Sequence, residues 1–271
     1  MKILEKFSLR KKVIVITGGA GFLGKQFANV IAQAGGTPVL LDVKYNKAKL
    51  ISENIKIKLN AEAFAVKCDV TNEKQVRNSL KKIKKKFEKK EISGLINNAA
   101  FNPQPKKYSG AIRNNLENFS IKSWNEEINV GLTGALICSK IFGTHFAKRK
   151  KGSIINISSD LGIKAPNQKI YNHLNFVKPV TYSVIKHGII GLSKYICSYW
   201  GEYGIRCNTI APTGVYNKQD KKFVKKLIQN IPFKRMAKLE DLDGIIIYLL
   251  SDLSSFQNGS LISIDGGRAV Y

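Results

Sequence analysis

The chain has 271 residues, with 45 Lys and Arg against 19 Asp and Glu, a formal net charge of +26 and 44% hydrophobic residues. That balance excludes a disordered or collagen-like chain, and with no composition break along residues 1–271 a single domain with room for an enclosed cleft is expected. Lysine outnumbers arginine 38 to 7, and sequence-reading nucleic-acid surfaces lean on arginine for bidentate contacts, so no nucleic-acid partner is expected.

The N-terminal segment carries charges at Lys2, Glu5, Lys6, Arg10, Lys11 and Lys12 without an apolar stretch, which predicts no secretion signal. A strand over 13–17 then runs straight into Thr17-Gly18-Gly19-Ala20-Gly21-Phe22-Leu23-Gly24 and a helix over 24–34. Glycines at such a turn permit close backbone approach to a pyrophosphate, and the helix start offers N–H groups and a positive dipole end. The next strand, 37–42, closes on Asp42, 24 residues after Gly18, where a carboxylate can accept hydrogen bonds from both ribose hydroxyls of an adenosine and repel a 2′-phosphate. Lys44 nearby partly offsets that repulsion. A strand over 63–69 is followed by a lysine-rich helix over 73–89, in which Leu80, Ile83 and Phe87 mark the buried face of a solvated amphipathic helix.

Further strands are predicted over 94–98, 153–158, 206–211 and 261–264, with helices over 122–150, 181–203 and 239–250. The alternation predicts an α/β doubly wound, Rossmann-like, mainly parallel sheet of about seven strands with helices on both faces. Tyr182 and Lys186 stand one helical turn apart at the start of the helix over 181–203, so the ammonium can lie beside the phenol and help to lower its pKa. They follow a strand that ends in Ser158 and Ser159, at the sheet edge where such folds place ligands. The apolar run over 245–250 is far short of the roughly 20 residues that a membrane helix needs, so no membrane partner is expected. Cys68, Cys138, Cys197 and Cys207 are widely spaced without a CxxC pair, the pattern of reduced thiols in a cytoplasmic protein rather than of a metal site.

The glycine turn, Cys68-Asp69-Val70, Asn97-Asn98-Ala99-Ala100, Ser158-Ser159, Tyr182 with Lys186, Asn208-Thr209-Ile210-Ala211-Pro212 and Asp265-Gly266-Gly267 together resemble the short-chain dehydrogenase/reductase family in its compact form. The resemblance spans almost the whole chain in the family's order. It implies a catalytic set of Ser159, holding the substrate oxygen, Tyr182, exchanging the proton, and Lys186, binding the nicotinamide ribose. It also implies a cofactor cradle of Thr17, Gly18, Gly21, Phe22, Leu23 and Gly24, with Asp42, Asp69 and Val70 toward the adenosine. Asn98, Ala99 and Ala100 would line the cofactor, and Pro212, Thr213, Gly214 and Val215 would flank the nicotinamide. NAD is the expected cofactor, NADP the less favoured one, and a homodimer or homotetramer the expected assembly.

Three departures stand out. The turn reads TGxxGxxG, the fourth helix has Gly131 where the family often has a proton-relay Asn, with Asn129 two residues away, and Thr213 follows Pro212 where Gly is common. The stretch 163–180 is also longer than usual for the family, with Lys164, Lys169, Tyr171, His173, Phe176 and Lys178, and predicts a cationic and aromatic wall over the substrate. It is similar to oxidoreductases of flagellin glycosylation and nonulosonic sugar pathways. The expected activity is therefore NAD(H)-dependent interconversion of a secondary alcohol and a ketone on an anionic sugar or sugar nucleotide. A 3-oxoacyl carrier-protein reductase is the alternative within the same superfamily. A catalytically idle cofactor-binding regulator is the alternative outside it, disfavoured by the intact Ser159, Tyr182 and Lys186.

Overall fold

The computed structural model describes residues 3–101 and 115–270. A short helix, α1 (Ile3–Lys6), precedes β1 (Lys12–Thr17), whose β-branched run is buried on both faces, as a strand covered by helices above and below must be. β2 (Thr37–Asp42), β3 (Phe64–Lys67), β4 (Glu91–Asn97), β5 (Gly152–Ile157), β6 (Ile205–Pro212) and β7 (Leu261–Ile264) complete one sheet. Its order is β3-β2-β1-β4-β5-β6-β7 with every neighbouring pair parallel, the doubly wound α/β arrangement that the alternation of elements predicts. The chain builds outward from β1 to β3 and then crosses to β4 on the other side. The carboxyl ends of β1 and β4 therefore flank the crevice in which such sheets bind ligands.

The strand pleat sorts the core into two layers. Ile14 and Ile16 point to a cluster with Phe27, Ile31, Leu40 and Leu249, whereas Val13 and Val15 point to the opposite cluster with Leu95, Phe142 and Phe146. The covering helices are α2 (Phe22–Gln33), α3 (Tyr45–Leu59), α4 (Glu73–Lys86), α5 (Ile121–Ile128), α6 (Gly134–Lys148), α7 (Val180–Trp200), α8 (Lys221–Ile228) and α9 (Asp243–Leu250). Differences from expectation include α3 and the α5–α6 stretch. α3 is a helix where none is predicted, since Ala48, Ile51 and Ile55 make only a narrow buried stripe among lysines. The single helix expected over 122–150 is instead α5 and α6 joined by a π-helical turn, Asn129–Thr133.

Among the described residues, the helical stretch Ile121–Lys148 is long and apolar enough to cross a membrane by length and composition, with half of its most apolar window buried inside the fold. Cys138, Phe142 and Phe146 account for that apolarity here, fully enclosed against the sheet. All four cysteines are free thiols.

Candidate active site

β1 delivers Thr17 to the crevice, and the chain reverses at Gly18, whose φ of +62° lies in the left-handed region. A side chain at Gly18 would also stand 2.9 Å from the Ala99 Cα, and one at Gly24 would collide with the Gly18 carbonyl. α2 then starts after Gly21 with no side chain capping its N-terminus, and Phe22 and Leu23 form its first turn. Small residues packed under an uncapped, positive helix end fit the pyrophosphate of a dinucleotide.

Thr17 and Asn98 lock this turn to β4. Thr17 Oγ1 accepts from the backbone N–H groups of Asn98 and Ala99 at 3.0 Å each, and Asn98 Nδ2 donates to the carbonyls of Thr17 at 3.0 Å and Gly18 at 3.1 Å. Ala100 follows, exposed at the rim. Half-buried Asp42 accepts from Ala20 N at 2.9 Å and Lys44 N at 2.8 Å, so it braces the glycine turn as well as ending β2. Asp69 Oδ1 accepts from Thr71 N and Thr71 Oγ1, closing the turn ahead of α4. The Val70 side chain is buried and packs on Gly134.

β5 ends at the same edge. The Ser158 hydroxyl donates to the Lys186 carbonyl at 2.7 Å and fixes the turn to α7. The Ser159 hydroxyl donates to Asp160 Oδ1 at 2.8 Å and accepts from Leu161 N at 3.2 Å, and it favours the ionised form of the Tyr182 phenol. Lys186, one turn beyond Tyr182 on α7, is buried and donates to the Ile157 carbonyl at 2.7 Å. Ser159, Tyr182 and Lys186 are thus brought together beside the crevice. Pro212 ends β6, and Thr213 Oγ1 donates to Asp160 Oδ2 at 2.9 Å. Gly214 lies under Leu227 and Met236, and Val215 bridges to Ala237, which ties this loop down beside the turn that holds Ser159.

Electrostatically the site departs from the lowered phenol that Tyr/Lys spacing predicts. Burial pushes the Tyr182 hydroxyl up to about 12; Ser159 opposes the rise, Asp160 adds to it and Arg268 reduces it. Burial pushes Lys186 down to about 8. Lys178 is pushed down to about 7, chiefly by burial and then by Lys186, while Asp160 and Glu127 favour its charged form.

The longer stretch 163–180 corrects another expectation. Tyr171 and Phe176 form no wall toward a substrate; they are buried under α8 against Leu227, Ile231 and Met236. Lys164 Nζ donates to the Arg268 carbonyl at 2.7 Å, and Lys169 is exposed. Of the three lysines, Lys178 is the one at Tyr182, with Nζ 3.7 Å from the ring centroid. His173 Nε2 lies 2.8 Å from Asp220 Oδ1. The two positions weighed for the relay differ in setting. A side chain at Gly131 would stand 2.8 Å from Ile185 Cγ2, and Asn129 is exposed.

Sequence reasoning missed three features. Asp160 and Arg268 form a buried ion pair directly behind Ser159. Buried Glu127 bonds the Thr181 hydroxyl at the head of α7, and burial raises its carboxyl. A polar ladder inside the sheet runs from Asn97 Nδ2 to Asn156 Oδ1 at 2.7 Å and from Asn156 Nδ2 to Ser193 Oγ at 2.7 Å. The doubled Asn97-Asn98 was the signal for the last, and nothing in the local sequence marked the first.

A family described as enoyl-(acyl carrier protein) reductase matches residues 19–269. Post-translational flagellin modification protein A of Campylobacter coli is 29% identical over 259 residues, covering 96% of this chain and 98% of its own. An NADP-dependent mannitol dehydrogenase of Alternaria alternata is 31% identical over 285 residues, covering 99% of this chain and 96% of its own. The structure of a gluconate 5-dehydrogenase from Burkholderia cenocepacia in complex with NADP and tartrate is similar over 100% of both chains, with a TM-score of 0.86 and 25% identity.

Proposed function

The chain belongs to the short-chain dehydrogenase/reductase family of oxidoreductases, and from that premise we propose that it interconverts a secondary alcohol and a ketone on an anionic sugar or sugar nucleotide, with NAD(H) preferred. The observation that carries the reading is the convergence of Ser159, Tyr182 and Lys186 on one crevice edge beside the glycine turn. In the reductive direction the Tyr182 hydroxyl gives its proton to the carbonyl oxygen, and in the oxidative direction the phenolate takes the alcohol proton. Ser159 holds the substrate oxygen. Lys186, fixed on the Ile157 carbonyl, presents its remaining N–H groups to the nicotinamide ribose. A nicotinamide dinucleotide, when bound, supplies or accepts the hydride. The glycine turn and the α2 N-terminus hold its pyrophosphate, Asp42 its adenosine ribose, Asp69 and the backbone of Val70 its adenine side, Asn98 to Ala100 its length, and 212–215 its nicotinamide end.

Lys178 supports an anionic substrate, since a cation at Tyr182 favours a carboxylate or phosphate next to the reacting carbon. The likeness to a flagellin modification protein and to a mannitol dehydrogenase supports a sugar in surface-glycan or flagellin-modification biosynthesis in the cytoplasm. The net charge of +26 favours the second reading, a 3-oxoacyl thioester on an acidic carrier protein. A stripe on α7, Val184, Tyr195 and Tyr199, with Leu136 of α6, exposes apolar surface that a second copy of the chain would cover in a homodimer or homotetramer. The test is a panel of keto-sugars, sugar nucleotides, alditols and an acetoacetyl thioester, followed by nicotinamide absorbance with both cofactors. Turnover confined to the thioester would replace the sugar reading with the second one.

A further inference from the structure

At the amino ends of β1, β4, β5 and β6, on the sheet edge opposite Ser159 and Tyr182, lies a cavity of about 490 Å³. One strand is irregular there. Val13 of β1 pairs with Ile92 and Ile14 pairs with Gly94, so β4 carries one extra residue, Ser93, as a β-bulge. Ser93 lines the cavity, is 6% exposed, and its hydroxyl has no hydrogen-bond partner. An unpartnered buried hydroxyl is costly, and bulges serve to re-aim side chains, so the placement of this group at a cavity asks what it receives.

The charge of the lining gives the sign of the ligand. Among the described residues there, Lys12, Lys151 and Arg206 stand against one carboxylate, Asp252. The end of α9 orients two of these cations. Lys12 Nζ donates to the Leu250 carbonyl at 3.2 Å and to Asp252 Oδ1 at 2.8 Å. Arg206 donates to the carbonyls of Leu249 at 2.9 Å and Ser251 at 3.3 Å and to Ser254 Oγ at 2.7 Å. Carbonyls and a hydroxyl are dipoles, so they fix Arg206 without neutralising it. Closing a helix C-terminus accounts for Lys12 and Arg206 structurally, but it asks for neither Lys151 nor the unpartnered Ser93. Lys151 is half exposed and reaches Glu91 only at 3.7 Å, a carboxylate that it shares with Arg149. Phe256, also of the lining, leaves its ring wholly in water.

We propose that this cavity is a second binding site, for a mononucleotide, whose phosphate is held by Lys151 and Arg206 with Ser93 as a neutral donor and whose base stacks on Phe256. Fixed cations beside a neutral donor suit a phosphate, and an exposed ring beside them suits a base. The site is distinct from the dinucleotide crevice. Lys12 and Gly152 begin the six-residue strands β1 and β5, whereas Thr17 and Ser159 stand at or beyond their carboxyl ends. The inference is therefore independent of the reading of that crevice as an active site.

The test is calorimetric titration of the full-length protein with uridine 5′-monophosphate, with and without excess NADH. The uridine probe lacks the adenine that would draw it to the dinucleotide crevice, and NADH displaces any that enters there. Wild type is expected to bind equally in both conditions. Lys151→Gln should weaken binding about tenfold and Phe256→Ser about fivefold. Ser93→Ala should weaken it about fivefold while the melting temperature of the free protein holds level or rises, because an unpaired hydroxyl is removed. A bulge with a purely structural role would not give lost affinity on an undiminished fold. Inorganic phosphate should bind more weakly than the nucleotide and be indifferent to Phe256→Ser. The proposal is overturned by an absence of binding to wild type, by displacement with NADH, by any of the three variants binding as wild type does, or by phosphate held as tightly as the nucleotide.

Discussion

The ammonium nitrogen of Lys178 lies 3.7 Å from the centroid of the Tyr182 ring, nearer than that of Lys186 at 5.7 Å. Two cations thus share one phenol, and burial and mutual repulsion hold Lys178 down near 7. The unfolded lysine keeps its proton up to about pH 10.4, so between about pH 7 and that value the unfolded state binds more protons and stability rises with pH. Below about pH 7 the full cost of the buried charge remains. Lys178→Met should therefore stabilise the fold by about 1 to 2 kcal/mol at mildly acid pH, a figure discounted for the partial exposure of the side chain. The gain should vanish in alkali. Urea unfolding on both sides of the window reads it, and a Met variant less stable than wild type in acid would contradict it.

Tyr182→Phe removes one transferable proton and almost no volume. Loss of general acid or base help lowers the rate by about 10² to 10⁴. Nucleotide binding, followed by NADH fluorescence, should stay within about twofold, because the glycine turn and Lys186 are untouched. Wild-type turnover by this variant would remove Tyr182 from the mechanism.

The parts of this molecule written as local pattern were legible, and the parts that join distant segments were not. Val13 to Ile16 and Ile154 to Ile157 announce buried strands because a covered parallel strand must be apolar on both faces. Gly18 and Gly24 stand out because backbone packs on backbone there. Asp160 and Arg268, by contrast, are 108 positions apart, and a lone charge next to a serine says nothing of its partner. Tyr171 and Phe176 were misplaced for a similar reason: the apolar face of α8, with Phe223 and Leu227, needs a cover, and the stretch 163–180 supplies it. The break at Asn129–Thr133 has no Pro to announce it, and its cause is tertiary, since Gly131 packs on Ile185.

Asp42 makes the cofactor prediction a double one. If Asp42 holds the adenosine ribose as proposed, a 2′-phosphate would meet a like charge there, and wild type is expected to show a higher kcat/KM with NADH than with NADPH. Because Asp42 also accepts from Ala20 N and Lys44 N, Asp42→Ser should shift preference toward NADPH and lower stability by about 1 kcal/mol for each backbone bond lost. Preference for NADPH in wild type would mean that Lys44, or Lys67 paired beside Asp42 in the sheet, overrides the carboxylate.

The three lysines of 163–180 now separate into different roles, which sharpens the question of substrate charge. Lys169 is exposed, so Lys169→Gln should leave KM and its salt dependence unchanged. Lys164 holds the Arg268 carbonyl at 2.7 Å, so Lys164→Gln should loosen the C-terminal segment and lower thermal stability more than it alters KM. Lys178 stands at the Tyr182 ring, and a charge-assisted hydrogen bond to a carboxylate or phosphate there is worth roughly 1.5 to 3 kcal/mol when desolvated. Partial exposure reduces that, so Lys178→Gln should raise KM about tenfold for an anionic substrate and flatten its dependence on ionic strength. Since Lys178 loses its proton above about 7, the wild-type KM for that substrate should climb as the pH passes that value, and the climb should be absent from Lys178→Gln. A neutral alditol should show neither effect. A KM that is indifferent to Lys178, to salt and to pH would show that the substrate carries no charge at this position, and would leave Lys178 acting on Tyr182 alone.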